Sequence, residues 1–265
     1  MTVYKEFEPT NGAKLQPLFS SIESLAVLDI PTDELDRRRI VGFESRDSRS
    51  RPYNLLRRQL MKQMKSNNWR MIGVTSATPD AGKTFTAVNL AAALAPTASA
   101  PVILCDFDLR RGSIQKMLGV APAHGLGHYL KKEIDDPAKI AFRVNNSQLV
   151  VFPTTASRHG SSELLAGNDF GEFVARLRAL PKETIVICDL PPVFANDDAM
   201  ICMQHLDAYL LVVDHGKTTG KQLEEAISLL SPAPCAGTVL NRYQGGFADP
   251  YGYGYGDVYG LKDYN

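Results

Sequence analysis

The chain has 265 residues, 44% of them apolar, enough for one sizeable domain with appendages. Its 29 basic residues balance 29 acidic ones, so no global field draws it to nucleic acid or to an anionic membrane. The four cysteines, Cys105, Cys188, Cys202 and Cys235, have no C-x-x-C spacing and fit a reduced compartment better than a disulfide framework.

Residues 1–50 lack sustained periodicity and carry the charge-rich runs DELDRRR and ESRDSRSR. They are expected to form an N-terminal arm, ordered only in part. The first twenty residues are mixed and polar, unlike a secretory leader. A helix is predicted from about Pro52, well placed in a first turn, through Met64, with Leu56, Leu60 and Met64 on one face.

From Trp69 onward strands and helices alternate. Strands are predicted at 71–76, 102–106, 148–152, 184–189, 208–214 and 236–241, mostly as continuous apolar runs. Such runs suit a sheet covered on both faces. Helices are predicted at 83–95, 113–118, 161–179, 197–204 and 220–230. The βαβα order implies an α/β fold with a doubly wound, mostly parallel sheet. The apolar stretch 87–105 is interrupted by Pro96 and Pro101, so no membrane span is expected.

Three motifs carry chemistry. In VTSATPDAGKTFTAVNLAA an apolar strand ends at Ser76, a Pro/Asp/Gly turn comes next, and a helix begins at Lys83. This is the layout of a phosphate-binding loop: backbone N–H groups converge on an anion, Lys83 adds a full charge, and Thr84 offers a hydroxyl to Mg²⁺. The first glycine of G-x-x-x-x-G-K-[ST] is replaced by Ala77. In VILCDFDLRRG, Asp106 and Asp108 follow a strand, at the sheet edge where open α/β folds bind ligands. Two carboxylates one residue apart suit metal-bound waters or proton acceptance. In IVICDLPPV, Asp189 closes another strand, where phosphate-loop enzymes place an indirect Mg²⁺ ligand, and Pro191 and Pro192 stiffen the chain just beyond it.

After Gln244 the composition changes to GGFADPYGYGYGDVYGLKDYN, five tyrosines among glycines. Glycine at this density resists ordering without a partner, so residues 245–265 are expected to be a flexible tail. A phenol titrates near about pH 10, so an acceptor tyrosine needs a group to take its proton as it attacks. The residues Tyr251, Tyr253, Tyr255, Tyr259 and Tyr264 are candidate phosphate acceptors for a neighbouring molecule's site.

Together ATPDAGKTFTAVNLA, VILCDFDLRRG and VICDLPP resemble the Walker A, A′ and B motifs of the bacterial tyrosine kinases (BY-kinases) of exopolysaccharide and capsule assembly. The likeness extends through MLGVAPAHGLGHYL, VFPTTASRHGSSELL, DAYLLVVDHGKTT and GTVLN to the tyrosine-rich tail. It implies a phosphate-loop kinase domain over residues 51–244, of the deviant-Walker ATPase branch. It further implies ATP and Mg²⁺ as cofactors, with nucleotide contacts from Asp80, Ala81, Gly82, Lys83, Thr84, Phe85, Asn241 and Arg242, and with Thr84, Asp106, Asp108 and Asp189 around the metal. Either Asp106 or Asp108 would be the base; the resemblance leans to Asp106. It implies trans-autophosphorylation of the tail, and as activator the cytoplasmic tail of a membrane chain-length regulator, a polysaccharide co-polymerase, recruiting a cytoplasmic protein to the inner membrane face.

Thr78 stands where partitioning and septum-positioning relatives carry an additional lysine, which weighs against a positioning ATPase. A nucleotide-binding regulatory subunit is the non-enzymatic alternative. The family's Glu-x-x-Arg-x-x-Arg ring pattern is matched only at Arg57, since Arg51 and Asn54 differ. His124 and His128 lack an acidic partner for zinc, Asp197 and Asp198 suit a helix's first turn or a place near the γ-phosphate, and Arg110 and Arg111 could reach a phosphate but suit surface pairing better.

Overall fold

The computed structural model describes residues 17–156 and 160–243. Its centre is one eight-stranded sheet with the order β1-β4-β5-β3-β6-β2-β7-β8. The strands are β1 Ala26–Leu28, β2 Met71–Ser76, β3 Val102–Asp106, β4 Phe142–Val144, β5 Leu149–Phe152, β6 Ile185–Asp189, β7 Ala208–Asp214 and β8 Cys235–Asn241. Every neighbouring pair is parallel except β4 and β5.

Nine α-helices lie among the described residues: α1 Thr32–Arg37, α2 Arg51–Asn67, α3 Lys83–Leu94, α4 Ser113–Leu118, α5 Leu126–Leu130, α6 Ser161–Ala166, α7 Asn168–Arg178, α8 Asp198–Met203 and α9 Gly220–Leu230. Because side chains alternate across a strand, each central strand feeds two cores. Ile72, Val74, Val102, Leu104 and Ile187 pack with α2, α3 and α4 on one face. Met71, Ile103, Cys105, Val186 and Cys188 pack with α5 to α9 on the other. Apolar runs without alternation are the consequence, as the strand reading anticipated.

Two expectations need correction. Residues 17–50 are not a loose arm. Leu18, Phe19, Ile22 and Leu25 are buried in one core and Ile30, Leu35 and Ile40 in the other, while β1 pairs with β4 at the sheet edge. Two side chains clasp this segment. Asn145 accepts from Ile30 N at 2.6 Å and donates to Ile30 O at 2.9 Å. Asn89, buried in α3, accepts from Val41 N and Gly42 N and donates to Arg39 O and Phe85 O. The single helix expected over 161–179 is two, α6 and α7, separated at the extended Gly167.

The C-terminal ends of β2, β3, β6, β7 and β8 lie along one edge, which gathers the three motifs. The tail, with Tyr251, Tyr253, Tyr255, Tyr259 and Tyr264, lies outside the described residues. No helix among the described residues is long and apolar enough to cross a membrane.

Candidate nucleotide-binding and phosphoryl-transfer site

The loop between β2 and α3 turns through two left-handed residues, Asp80 (φ 61°) and Gly82 (φ 95°). Glycine suits the second because a Cβ there is strained and would also run into the Asn241 amide. The backbone N–H groups of Asp80 and Gly82 donate no hydrogen bond among the described residues. They precede the N-terminus of the twelve-residue α3, the arrangement that receives an anion. Ala77 at the first glycine position is buried, and the segment after β6 runs beside it: Val193 N donates to Ser76 O at 2.8 Å and Phe194 N to Ala77 O at 3.1 Å. Thr75 Oγ1 donates to Pro191 O at 2.7 Å, so the Pro191–Pro192 segment braces the phosphate loop.

Lys83 and three carboxylates converge here, all buried. Its Nζ lies 3.0 Å from Asp108 Oδ2 and 3.4 Å from Asp189 Oδ1. Thr84 Oγ1 donates to Asp189 Oδ2 at 2.6 Å. Asp106 and Asp189 are register partners on β3 and β6. Asp106 accepts from Asp108 N at 3.2 Å and Ile114 N at 3.1 Å, using both oxygens. Between the acids, Phe107 is fully buried, 5.0 Å edge-on from Phe170, and its N–H donates to Asp189 O at 2.9 Å. This aromatic anchor fixes where Asp106 and Asp108 stand.

The electrostatics arise from three acids facing one ammonium. Burial, reinforced by the Asp189 charge, raises the Asp106 carboxyl well above its ordinary range despite the Ile114 N–H and Lys83. Burial also raises Asp189, with Lys83 and Thr84 opposing. Burial alone would weaken the Lys83 ammonium, but Asp189, Asp108 and Asp106 outweigh it and the proton is held more tightly than usual. The surplus negative charge and hard oxygen donors suit a divalent cation of the Mg²⁺ type. Among the described residues no three His, Cys, Asp or Glu form a direct metal cage.

The remaining expected residues fall around this centre. Asn241 Nδ2 donates to Ala81 O at 2.8 Å and its Oδ1 accepts from Arg242 N at 3.0 Å, so in this conformation it braces the loop. Arg242 pairs with Asp214 at 2.6 Å, at the adjacent strand end. Phe85 packs edge-on against Tyr53, ring centroids 6.2 Å apart, and Asp80 pairs with Arg111 at 3.0 Å. Arg57 Nη1 donates to Ala93 O, and Asn54 Nδ2 to Ser45 O and Ser50 Oγ. His128 Nδ1 accepts from Gly125 N, a local turn contact. Sequence reading passed over two features: the Asn89 clasp, hidden in an alanine-rich helix, and the depth of Asp198, which is fully buried and pairs with Arg110 at 3.2 Å.

The sheet, the loop and its lysine define a phosphate-loop NTPase domain. The septum site-determining protein MinD of Pyrococcus horikoshii, solved with Mg-ADP, shares this fold with a TM-score of 0.54 at 20% identity, over 66% of this chain and 70% of that one. The kinase domain of Escherichia coli tyrosine kinase ETK matches with a TM-score of 0.73 at 26% identity, over 87% of this chain and 93% of that one. The tyrosine-protein kinase wzc of Salmonella typhi is 34% identical over 200 residues, 73% of this chain. No family model matches the chain. By these likenesses and its three motifs the chain belongs to the bacterial tyrosine kinase family. It spans only 26% of the length of the wzc relative.

Proposed function

We propose that this chain is an ATP-dependent protein tyrosine kinase that phosphorylates its own C-terminal tyrosines in trans and so regulates exopolysaccharide polymerisation and export. The observation carrying this reading is the convergence of Lys83, Thr84, Asp106, Asp108 and Asp189 beside a phosphate loop.

The backbone of 80–84 cradles the β-phosphate, and Lys83 neutralises charge between β and γ. Thr84 and Asp189 would hold Mg²⁺, directly or through water, with Asp106 and Asp108 in its outer shell; when bound it neutralises phosphate charge. An acceptor phenol oxygen forms a bond to the γ-phosphorus as the bond to the β–γ bridging oxygen breaks, and ADP departs with that electron pair. The phenolic proton goes to a carboxylate. Asp106 is the better acceptor, because burial and Asp189 raise its proton affinity, whereas Asp108 is committed to Lys83. Asn241 and Arg242 stand at the base end of the nucleotide, and Asp80, Ala81, Gly82 and Phe85 complete the cradle. The activator is the cytoplasmic tail of a membrane chain-length regulator, which recruits the protein to the inner membrane face.

Incubation of the purified chain with MgATP, anti-phosphotyrosine blotting and mass mapping tests this. Signal is expected at several of Tyr251, Tyr253, Tyr255, Tyr259 and Tyr264, and its loss in Lys83→Met. ATP turnover without phosphotyrosine, even with the activator's tail supplied, would point to a positioning-type ATPase instead.

A further inference from the structure

Arg110 lies in the turn that begins at Asp108 and closes with Gly112 N donating to Asp108 O at 3.1 Å. One edge of its guanidinium is anchored. Nε donates to Ser161 Oγ at 2.7 Å and to Asp198 Oδ2 at 3.2 Å. Asp198 is itself saturated, accepting also from Ser161 Oγ, Ser162 Oγ and Asn196 Nδ2. It thereby ties the loop after β3, the start of α6 and the start of α8 into one support. The other edge faces outward: the side chain is 44% exposed, Nη2 has only a 3.4 Å contact with Ser162 Oγ, and Nη1 has no partner among the described residues. Arg111 is instead engaged by Asp80. A cation with a fixed orientation and a free fork, two residues from the Asp108–Lys83 pair, is built to receive a carboxylate or phosphate.

The tail sequence supplies such anions with a constant spacing. Asp249 precedes Tyr251 by two residues, and Asp257 precedes Tyr259 by two. Tyr251, Tyr253 and Tyr255 are themselves two apart, separated by glycines. In an extended segment, residues i and i−2 share a face about 7 Å apart, while i−1 points away. A phosphotyrosine carries about two negative charges and so becomes the next anion in the series.

We propose that Arg110, positioned by Asp198, reads the anion two residues before the acceptor and so sets the order of tail phosphorylation. Tyr251 and Tyr259 go first, read through Asp249 and Asp257. Phosphorylated Tyr251 then primes Tyr253, and phosphorylated Tyr253 primes Tyr255. Tyr264, with Lys262 at the reading position, is the poorest acceptor. This rests on the kinase reading above.

Time-resolved mass mapping of the full chain with MgATP measures the order. Early labelling of Tyr251 and Tyr259 is expected, with Tyr251→Phe slowing Tyr253 and Arg110→Gln flattening the order. Arg110→Lys, which keeps charge without the fork, should restore it only in part, and Asp198→Asn should act like Arg110→Gln while melting as a folded protein. Tyr253 or Tyr255 labelled as early as Tyr251, or an order indifferent to Arg110→Gln, overturns the proposal and leaves the kinase reading intact. A second measurement is independent of transfer: anisotropy of a labelled 247–260 peptide on the full chain with a non-hydrolysable ATP analogue. Exchanging Asp249 and Asp257 for Asn should weaken binding about three- to tenfold, with no further loss on Arg110→Gln. Equal binding of both peptides, or none of either, overturns the proposal whatever the kinase assay shows.

Discussion

Asp106 and Asp189 stand directly opposite each other on neighbouring parallel strands, both fully buried, with Lys83 as the cation they share among the described residues. Like charges placed this way hold protons that ordinary carboxylates release. Between the usual carboxylate range and their raised values the folded state therefore binds more protons than the unfolded one. The contribution of these two groups to stability falls as pH rises through that window. Lys83 works in the same sense, but its raised value lies on the alkaline side, outside that window.

Substituting Asp189→Asn removes one acid while Asp108 keeps Lys83 paired. The variant is expected to melt about 3 °C above the parent at pH 8. The advantage should shrink as pH falls to 4, through the raised range in which Asp106 and Asp189 take up protons in the parent. Calorimetry at the two pH values checks it, and a variant melting lower at pH 8 would refute the charge-surplus account.

Catalysis should show the same displaced proton affinity. If Asp106 takes the phenolic proton, kcat rises with pH along a limb lying above the ordinary carboxylate range. Asp106→Asn should lower kcat about 10²- to 10⁴-fold. A pH–rate profile with tail phosphorylation as the readout tests both.

Asn241 supports the phosphate loop from the end of β8, through Ala81 O and against Gly82. Asn241→Ala removes a hydrogen bond worth about 1 kcal/mol, so Mg-ADP should bind about fivefold more weakly. Gly82→Ala, which meets both the positive φ and the Asn241 amide, should abolish binding. Titration calorimetry measures each.

Asn89 makes four hydrogen bonds from within α3. Asn89→Ala leaves two N–H groups of residues 41 and 42 without their acceptor, and a loss of about 2–4 kcal/mol is expected. Urea unfolding monitored by Trp69 fluorescence provides the measurement.

The site was legible in the sequence wherever chemistry demands a residue type at a strand end. Lys83, Thr84, Asp106, Asp108 and Asp189 could be placed because an apolar run leads into the motif that carries each. The central strands were legible for the related reason that both faces are covered. Residues 17–50 were not, since their apolar side chains enter two different cores singly and leave no period. Nor were β1 and β4, each of three residues, too short for any alternation to register. Asn89 and Asp198 looked ordinary because their importance arises from partners 37 to 88 residues away. Arg110 and Asp198 illustrate the limit: each suggested surface or helix-end chemistry alone, and only folding joins them.

The grip of Asn89 on residues 39–42 fastens the segment upstream of α2 to α3, the helix that begins at Lys83. A boundary drawn at residue 51 would therefore strip a buried amide of three of its four partners and leave α3 to carry an unsatisfied polar group in its core.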